Sequence, residues 1–525
     1  MLSLVLLVAL GAVLLSAEVV ARRLRVVPPV PLVAGGVVLG FLPALRGVQL
    51  PPETVLLLFL PALLFWESLT TSLREIRSDL RTVVLMSTAL VVVTAAAVAV
   101  AARASGLAWG PAWVLGAAVA PTDATAAGAL TRLLPRRMVT LLRAESLVND
   151  GTALVIYALA IGITVGGQRL SVPHAGWLFF LAYGGGALAG VVTAWLGIRM
   201  RRRLDDPMQE NVAILLIPFI AYLLAEAMHA SGVVAVVICG LIISQAGPRI
   251  GRAGTRQQTI AFWSFATYLL NGALFVLIGL QAQAAVRGLT SVALTQGVIS
   301  VGVVAGTVIG ARFGWLFTAP YVIRVLDRRP QQRQRRVGAR ARVVNGFAGF
   351  RGAVSLAAAL AVPHTVVSGR PFPDRDLVIF VTAGVILVTL AGQALLLPVV
   401  VRWARLPPDT GVRQERHLAE TTVLRDALEA LPRVAAEQDA GRDVVERLRD
   451  EYEMRLQVLH VHGDEADDRA AVCFDRQDRA LRLAMVAEKR HALVRLRDDD
   501  RIDDVVLRQV QSRLDMEELR LSGLS

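Results

Sequence analysis

Two patterns divide the chain. From Met1 to about Val401 long apolar runs recur, separated by short polar turns, whereas from Arg402 to Ser525 charged residues interleave with Leu and Val at helical spacing. A helical run of about 20 apolar residues matches the hydrocarbon thickness of a bilayer. Thirteen such spans are expected: Leu2–Val20, Pro28–Leu45, Thr54–Leu69, Thr82–Ala102, Pro111–Leu130, Glu145–Val165, Trp177–Ile198, Asn211–His229, Ser231–Ala246, Ile260–Ala282, Ser291–Val322, Val343–Val362 and Leu377–Val401. The pattern predicts an all-α polytopic membrane protein, with a transmembrane domain over 1–401 and a helical tail over 402–525.

Three of these spans break the apolar pattern. The sixth opens with Glu145-Ser146-Leu147-Val148-Asn149-Asp150-Gly151-Thr152. At about 100° per residue, Glu145, Ser146, Asn149, Asp150 and Thr152 share one helix face while Leu147, Val148, Leu154 and Val155 lie opposite, so the polar face should line a wet cavity. The fifth span holds Ala120-Pro121-Thr122-Asp123-Ala124-Thr125-Ala126. Proline removes a backbone donor, and irregular backbone at membrane depth survives only inside protein or beside a cavity, so a helix break is expected there. The twelfth contains Gly346, Gly349, Phe350, Arg351, Gly352 and Ser355, a second candidate break with one charge at depth. The fifth and twelfth spans run in opposite directions, as an inverted repeat with paired broken helices requires, and such pairs mark the substrate site of secondary transporters.

Half-helix ends need compensating charge, for which Asp123 and Arg351 are suited. Charge compensation and direct contact with a transported ion both fit these two residues. For Glu145 the pattern favours a buried ion pair with Arg351. For Asp150, which has no cationic neighbour in sequence, it favours a transport role, because a lone carboxylate at that depth needs a proton or a cation. Glu67, closing the third span, either reaches the cavity or faces the interface. Gly186 and Gly190 form a G-x-x-x-G pair suited to close helix packing, with no preceding strand that would support dinucleotide binding.

Composition changes this picture little. The formal net charge of +13 would suit a nucleic-acid partner, but the arginines alternate between loops and follow membrane topology instead. Arg22, Arg23 and Arg25, then Arg74, Arg77 and Arg81, then Arg132, Arg136, Arg137 and Arg143, then Arg199 to Arg203, then Arg249, Arg252 and Arg256 follow odd-numbered spans. The opposite loops carry few: Arg46, Arg103, Arg169, Arg287, Arg370 and Arg375. The N-terminus is therefore expected outside and the C-terminus, with the Arg324–Arg342 cluster, in the cytoplasm. No basic residue precedes the first span and a basic cluster follows it, the reverse of a signal peptide, so it should be retained. Cys239 and Cys473 are too far apart in sequence and topology to imply a disulfide or a zinc site. In the tail, Leu507, Val510, Leu514 and Leu521 follow a heptad-like rhythm broken by Glu517, consistent with a helical hairpin, a short coiled coil or a solvated amphipathic helix.

Together and in order, Ala120-Pro121-Thr122-Asp123-Ala124, Glu145-Ser146-Leu147-Val148-Asn149-Asp150-Gly151 and Gly349-Phe350-Arg351-Gly352-Ala353-Val354-Ser355 resemble the sodium/proton exchanger family of the monovalent cation/proton antiporter superfamily. Phe59 to Phe65, Ala225 to Gly232 and Asn271 to Leu280 add to the resemblance, which covers about Leu2 to Val401. It implies a homodimer in the cytoplasmic membrane, with a dimerisation subdomain and a core subdomain that move against each other, and crossed broken helices in spans five and twelve. It makes Asp150 the carboxylate that takes either a cation or a proton, with Thr122, Asp123, Ser146 and Glu67 completing the shell. Glu145, Asn149 and Arg351 would hold the core together. Some relatives carry two aspartates where Asn149 and Asp150 stand and move net charge, so Asn149 implies electroneutral exchange.

The expected activity is Na+/proton antiport by alternating access. Oxygen ligands suit hard cations, so sodium, lithium and potassium are not separable from sequence. Na+, with Li+ beside it, is the expected cation, and a K+/proton exchanger on the same scaffold is the rival. An ion channel is a further alternative. A hydrolase lacks a credible nucleophile and base, no enzyme activity is expected, and no cofactor, transition metal or nucleic-acid partner is implied.

Overall fold

The computed structural model describes residues 2–24, 26, 28–43, 52–71, 73–123, 134–166, 172–204, 206–250, 253–288, 291–326, 338–406, 411–461, 469–499, 501 and 504–522. Ala124-Thr125-Ala126 of the fifth-span motif lies outside them, as do Arg25, Arg46, Arg132, Arg169 and Arg252 of the topology argument and most of the Arg324–Arg342 cluster. The chain forms two compact units, Met1–Pro407 and Pro408–Ser525.

In the first unit the described helices are α1 (Leu2–Leu24), α2 (Pro29–Leu39), α3 (Pro52–Thr70), α4 (Leu73–Ala104), α5 (Trp109–Val119), α6 (Arg136–Gly166), α7 (Val172–Arg201), α8 (Pro207–Ala227), α9 (Gly232–Ile250), α10 (Ala253–Gly288), α11 (Ser291–Leu326), α12 (Ala339–Phe347), α13 (Ala353–Leu360) and α14 (Arg375–Ala404). The described residues contain no β-strand, only an isolated bridge between Thr365 and Pro371 in the loop before α14. Seven helices, α4, α6, α7, α8, α10, α11 and α14, are long and apolar enough to cross a membrane. Shorter apolar helices, among them α2, α5 and α9, accompany them. The first unit is thus all-helical and polytopic, and its described helices overlap the expected segments, seven of them with the length and apolarity of a membrane span.

Both expected breaks are present. Helix α5 stops at Val119, and residues 121–123 after it are not helical. Residues 348–352 separate α12 from α13. The first break coincides with Pro121, which has no N–H to continue the ladder.

The helices pack as two bundles. One contains α4, α5, α6, α11, α12, α13 and α14, with α4 against α5, α6 and α11. Val98, Leu115, Val304 and Val385 lie in its core. The other contains α1, α2, α3, α7, α8, α9 and α10, and Phe65, Ala194, Ile217, Cys239 and Trp263 lie in its core. Between them α10 packs on α14 and α13, α2 on α14 and α3 on α13 around a shared buried cluster, while α3, α7 and α9 touch α6 more sparsely.

The expected role of the G-x-x-x-G pair holds. A Cβ on Gly186 would stand 2.6 Å from the Ser231 carbonyl oxygen, and one on Gly190 2.5 Å from that of Ala235. Only glycine lets α7 approach the α9 backbone so closely, and dispersion contacts drive such packing where lipid competes for apolar surface.

In the second unit, α15 (Gly411–Glu437) packs on α16 (Arg442–Val461), and α17 (Arg469–Asp498) on α18 (Asp504–Ser522). Of the three arrangements the heptad-like rhythm allowed, a helical hairpin forms. Leu514 is buried against Val486 and Leu493, with Leu507, Val510 and Leu521 alongside. Lys489 pairs with Glu517 at 3.1 Å, and Arg490 with Asp515 and Glu518, whose carboxylates hold its guanidinium pKa above the usual value.

Gly190→Leu is expected to destabilise the protein by about 1–3 kcal/mol through overpacking. Gly184→Leu, where a Cβ meets nothing within 4 Å, should change little. Thermal unfolding of the two variants in detergent measures the contrast.

Candidate functional site

The two breaks lie against each other. The Asp123 backbone N–H donates to the Phe350 carbonyl at 2.8 Å, joining the non-helical stretch after α5 to that before α13. The Arg351 guanidinium donates to the Val119 carbonyl at 3.3 Å, at the C-terminal end of α5, and to the Gly349 carbonyl. The Asp123 carboxylate lies against Gly352, which precedes α13, and a Cβ there would overlap it. A cation thus meets the negative end of one half-helix and a carboxylate the positive end of the other, the pattern that helix dipoles favour. Arg351 and Phe350 are almost wholly buried, so the crossing is interior to the bundle.

Helix α6 runs beside this crossing. Asn149 Nδ2 donates to Thr122 Oγ1 at 2.6 Å, fastening α6 to the stretch after α5. Ser146 and Asp150, one turn apart on α6, are both buried, as are Thr122, Asp123 and Glu67. Asp150 interacts electrostatically with the carboxylates of Glu67 and Asp123, and Glu67 with Asp123 and with Arg143. The structure therefore gathers Glu67, Thr122, Asp123, Ser146, Asn149 and Asp150 from α3, α6 and the break after α5. Among the described residues Asp150 forms no ion pair. Glu67 Oε1, Asn149 Oδ1 and Ser355 Oγ are buried without a hydrogen-bond partner among those residues. An orphaned buried acceptor costs about 1–3 kcal/mol, which a coordinated cation or a proton offsets.

The expected ion pair between Glu145 and Arg351 does not form. Glu145 pairs instead with Arg312 of α11 at 2.6 Å. Arg312 is fully buried and also donates to the Asn345 carbonyl at 3.1 Å. The physical reason lies in the break: Arg351 is turned to the carbonyls of Val119 and Gly349, and Arg312 reaches Glu145 from a neighbouring helix. Gly349 makes the room, since a Cβ there would overlap the Arg312 side chain. Arg351 feels both charges from a distance. Arg312 was legible in sequence as a single charge inside the apolar segment Ser291–Val322, the same signal that singles out Glu145. Tyr183 carried no such signal, yet its hydroxyl lies 2.7 Å from Thr152 Oγ1 on α6.

Half-helices crossing beside buried carboxylates, with hard oxygen donors around them, define the site of a secondary ion transporter. Comparison with known proteins agrees. The family model described as "Sodium/hydrogen exchanger, transmembrane" matches residues 6–403. An uncharacterised Na(+)/H(+) exchanger of Mycobacterium tuberculosis is 44% identical over 522 residues, covering 99% of this chain and 96% of the relative. The Na(+)/H(+) antiporter ApNhaP of Aphanothece halophytica is 33% identical over 73% of this chain and 71% of its own. Among solved structures, the sodium proton antiporter MjNhaP1 of Methanocaldococcus jannaschii superposes with a TM-score of 0.59 at 19% identity, over 77% of this chain and 99% of that one. The chain belongs to the sodium/hydrogen exchanger family.

Arg312→Met is expected to destabilise the protein by about 3–5 kcal/mol, because it strands the Glu145 charge. The double variant with Glu145→Gln should recover part of that loss in detergent melting experiments.

Proposed function

We propose that this exchanger moves one Na+ against one proton, with Asp150 as the group that takes either. The observation that carries the reading is the burial of Asp150 beside Glu67 and Asp123, with no ion pair to it among the described residues. An ionised Asp150 holding a monovalent cation and a protonated Asp150 holding none carry the same net charge. Either form crosses a low-dielectric gate that the empty, ionised site crosses poorly. Competition for one carboxylate then couples the two fluxes, and a ligand shifts the access equilibrium only by its differential affinity for the two states.

Thr122, Ser146, Asp123 and Glu67 complete the shell in this reading. Asn149, through Thr122, and Glu145, through Arg312, hold the helices that present it, and Arg351 compensates the end of α5. The bundle of α4–α6 and α11–α14 would be the moving core, and that of α1–α3 and α7–α10 the dimerisation subdomain of a homodimer. The protein would lie in the cytoplasmic membrane with its N-terminus outside and residues 402–525 in the cytoplasm as a regulatory tail.

Li+ is accommodated by the same oxygen donors. K+ is the second reading: a relative from Bacillus pumilus, 29% identical over 96% of this chain and 75% of its own, carries the name sodium, potassium, lithium and rubidium/H(+) antiporter.

In liposomes, wild-type protein should couple a sodium gradient to proton movement and Asp150→Asn should abolish it. Flux retained in the variant would remove Asp150 from its role, and proton movement driven by potassium alone would select the second reading. Channel conduction would persist without a counter-ion. For charge balance, wild-type exchange should be indifferent to membrane voltage and Asn149→Asp should become voltage-sensitive; a voltage-dependent wild type would overturn one-for-one exchange.

A further inference from the structure

We propose that Tyr183 is a positioning residue for the exchange cycle, its hydroxyl a latch that ties α7 to the turn of α6 carrying Asp150. The inference rests on the reading of the two bundles as parts that move against each other.

Tyr183 belongs to α7, packed within the bundle of α7, α8 and α9, whereas Asp150 belongs to α6 in the opposite bundle. Contact between α6 and α7 is sparse, so individual bonds across it count. The Tyr183 hydroxyl lies 2.7 Å from Thr152 Oγ1 and 3.4 Å from the Val148 carbonyl oxygen. Thr152 Oγ1 also lies 3.0 Å from that carbonyl. Two hydroxyl protons thus serve this group of three oxygens, one shared between the hydroxyls and one directed to Val148. Val148 and Thr152 flank Asp150 in sequence, and their two oxygens, 3.0 Å apart, give the tyrosine a single attachment point on the turn that carries it.

The surroundings fit this grip. A Cβ on Gly151 would stand 3.3 Å from the Tyr183 hydroxyl, so a glycine next to Asp150 gives the phenol its room. The ring is held from its own side by stacking on Phe179, with centroids 4.6 Å apart. Tyr183 also interacts electrostatically with Asp150 without bonding to it. If α6 shifts along α7 during transport, the tyrosine must let go of Val148 and Thr152. The bond therefore weights the access state in which it exists over the one in which it is broken.

Tyr183→Phe tests the latch with little risk to the fold. The ring and its stacking remain, and Thr152 keeps the Val148 carbonyl as its partner. One ordinary hydrogen bond is worth about a two- to tenfold change in an equilibrium. The ratio of the apparent KM for the transported cation measured from the two faces of the membrane should shift by about that factor in Tyr183→Phe liposomes. Thr152→Val should shift it in the same direction, and the double variant should go no further than the larger single effect. An unchanged ratio with only a lowered yield or melting temperature would assign Tyr183 a structural role and overturn the proposal.

Hydrogen–deuterium exchange needs no transported cation. Faster exchange of the α6 amides around 148–155 in Tyr183→Phe, with the rest of the chain unchanged, supports the latch, and unchanged exchange there overturns it. If the wild type moves no cation against protons, the proposed antiport fails while this readout still judges the latch.

Discussion

The requirement that every polar group at membrane depth find its partner within the protein organises the first unit. Water is absent from the hydrocarbon region, so an interrupted helix is tolerable only where another part of the chain answers the freed backbone groups. Here each break answers the other. The Asp123 amide meets the Phe350 carbonyl, Arg351 meets the carbonyl end of α5, and the Asp123 carboxylate lies at the start of α13. The crossing is a mutual solution, and removing one partner strands the other.

The same requirement sorts the charges around it. Glu145 and Arg312 neutralise each other, and Arg312 takes up the Asn345 carbonyl as well, tying α6, α11 and α12 together. The other carboxylate of α6 is Asp150, which interacts with Glu67 and Asp123 and forms no ion pair among the described residues. A buried pair such as Glu145 with Arg312 stabilises the fold little compared with apolar packing, yet it is costly to break. It fixes which helix presents Asp150 and leaves that carboxylate available. The paired carboxylate and the unpaired one are thereby separated on one helix, five residues apart.

Unequal packing gives the arrangement its direction of motion under the proposed function. Besides the two bundles' own cores, a shared buried cluster joins α1, α2 and α10 to α12, α13 and α14, whereas α6 and α7 meet through few contacts, among them the Tyr183 and Thr152 hydroxyls. Close glycine-mediated approach of α7 to α9 makes one side rigid, and the dense contacts of α4, α5 and α6 make the other so. Under that proposal, the sparse contact of α6 with α7 is where the two bodies would slide, and the shared core around α10 and α14 is where they would stay joined.

The helical class, the approximate positions of the apolar helices, both breaks, the glycine-mediated contact of α7 and the residues that gather around Asp150 were all legible along the chain. These follow from local causes: hydrophobic period, proline without an N–H, small residues at helical spacing, and the cost of a carboxylate at depth. Partner choice came from how the separate helices pack. Glu145 had two arginines to choose from, Arg312 and Arg351, and the selection depended on Arg351 being turned toward the Val119 and Gly349 carbonyls by the break and on Gly349 leaving space for Arg312. Tyr183 was silent in sequence because a tyrosine in an apolar helix is ordinary, and only the packing of α7 against α6 places its hydroxyl beside the turn that carries Asp150. Which face each residue shows is a matter of period, but which residue it meets depends on how separate helices come together, and no local pattern encodes that.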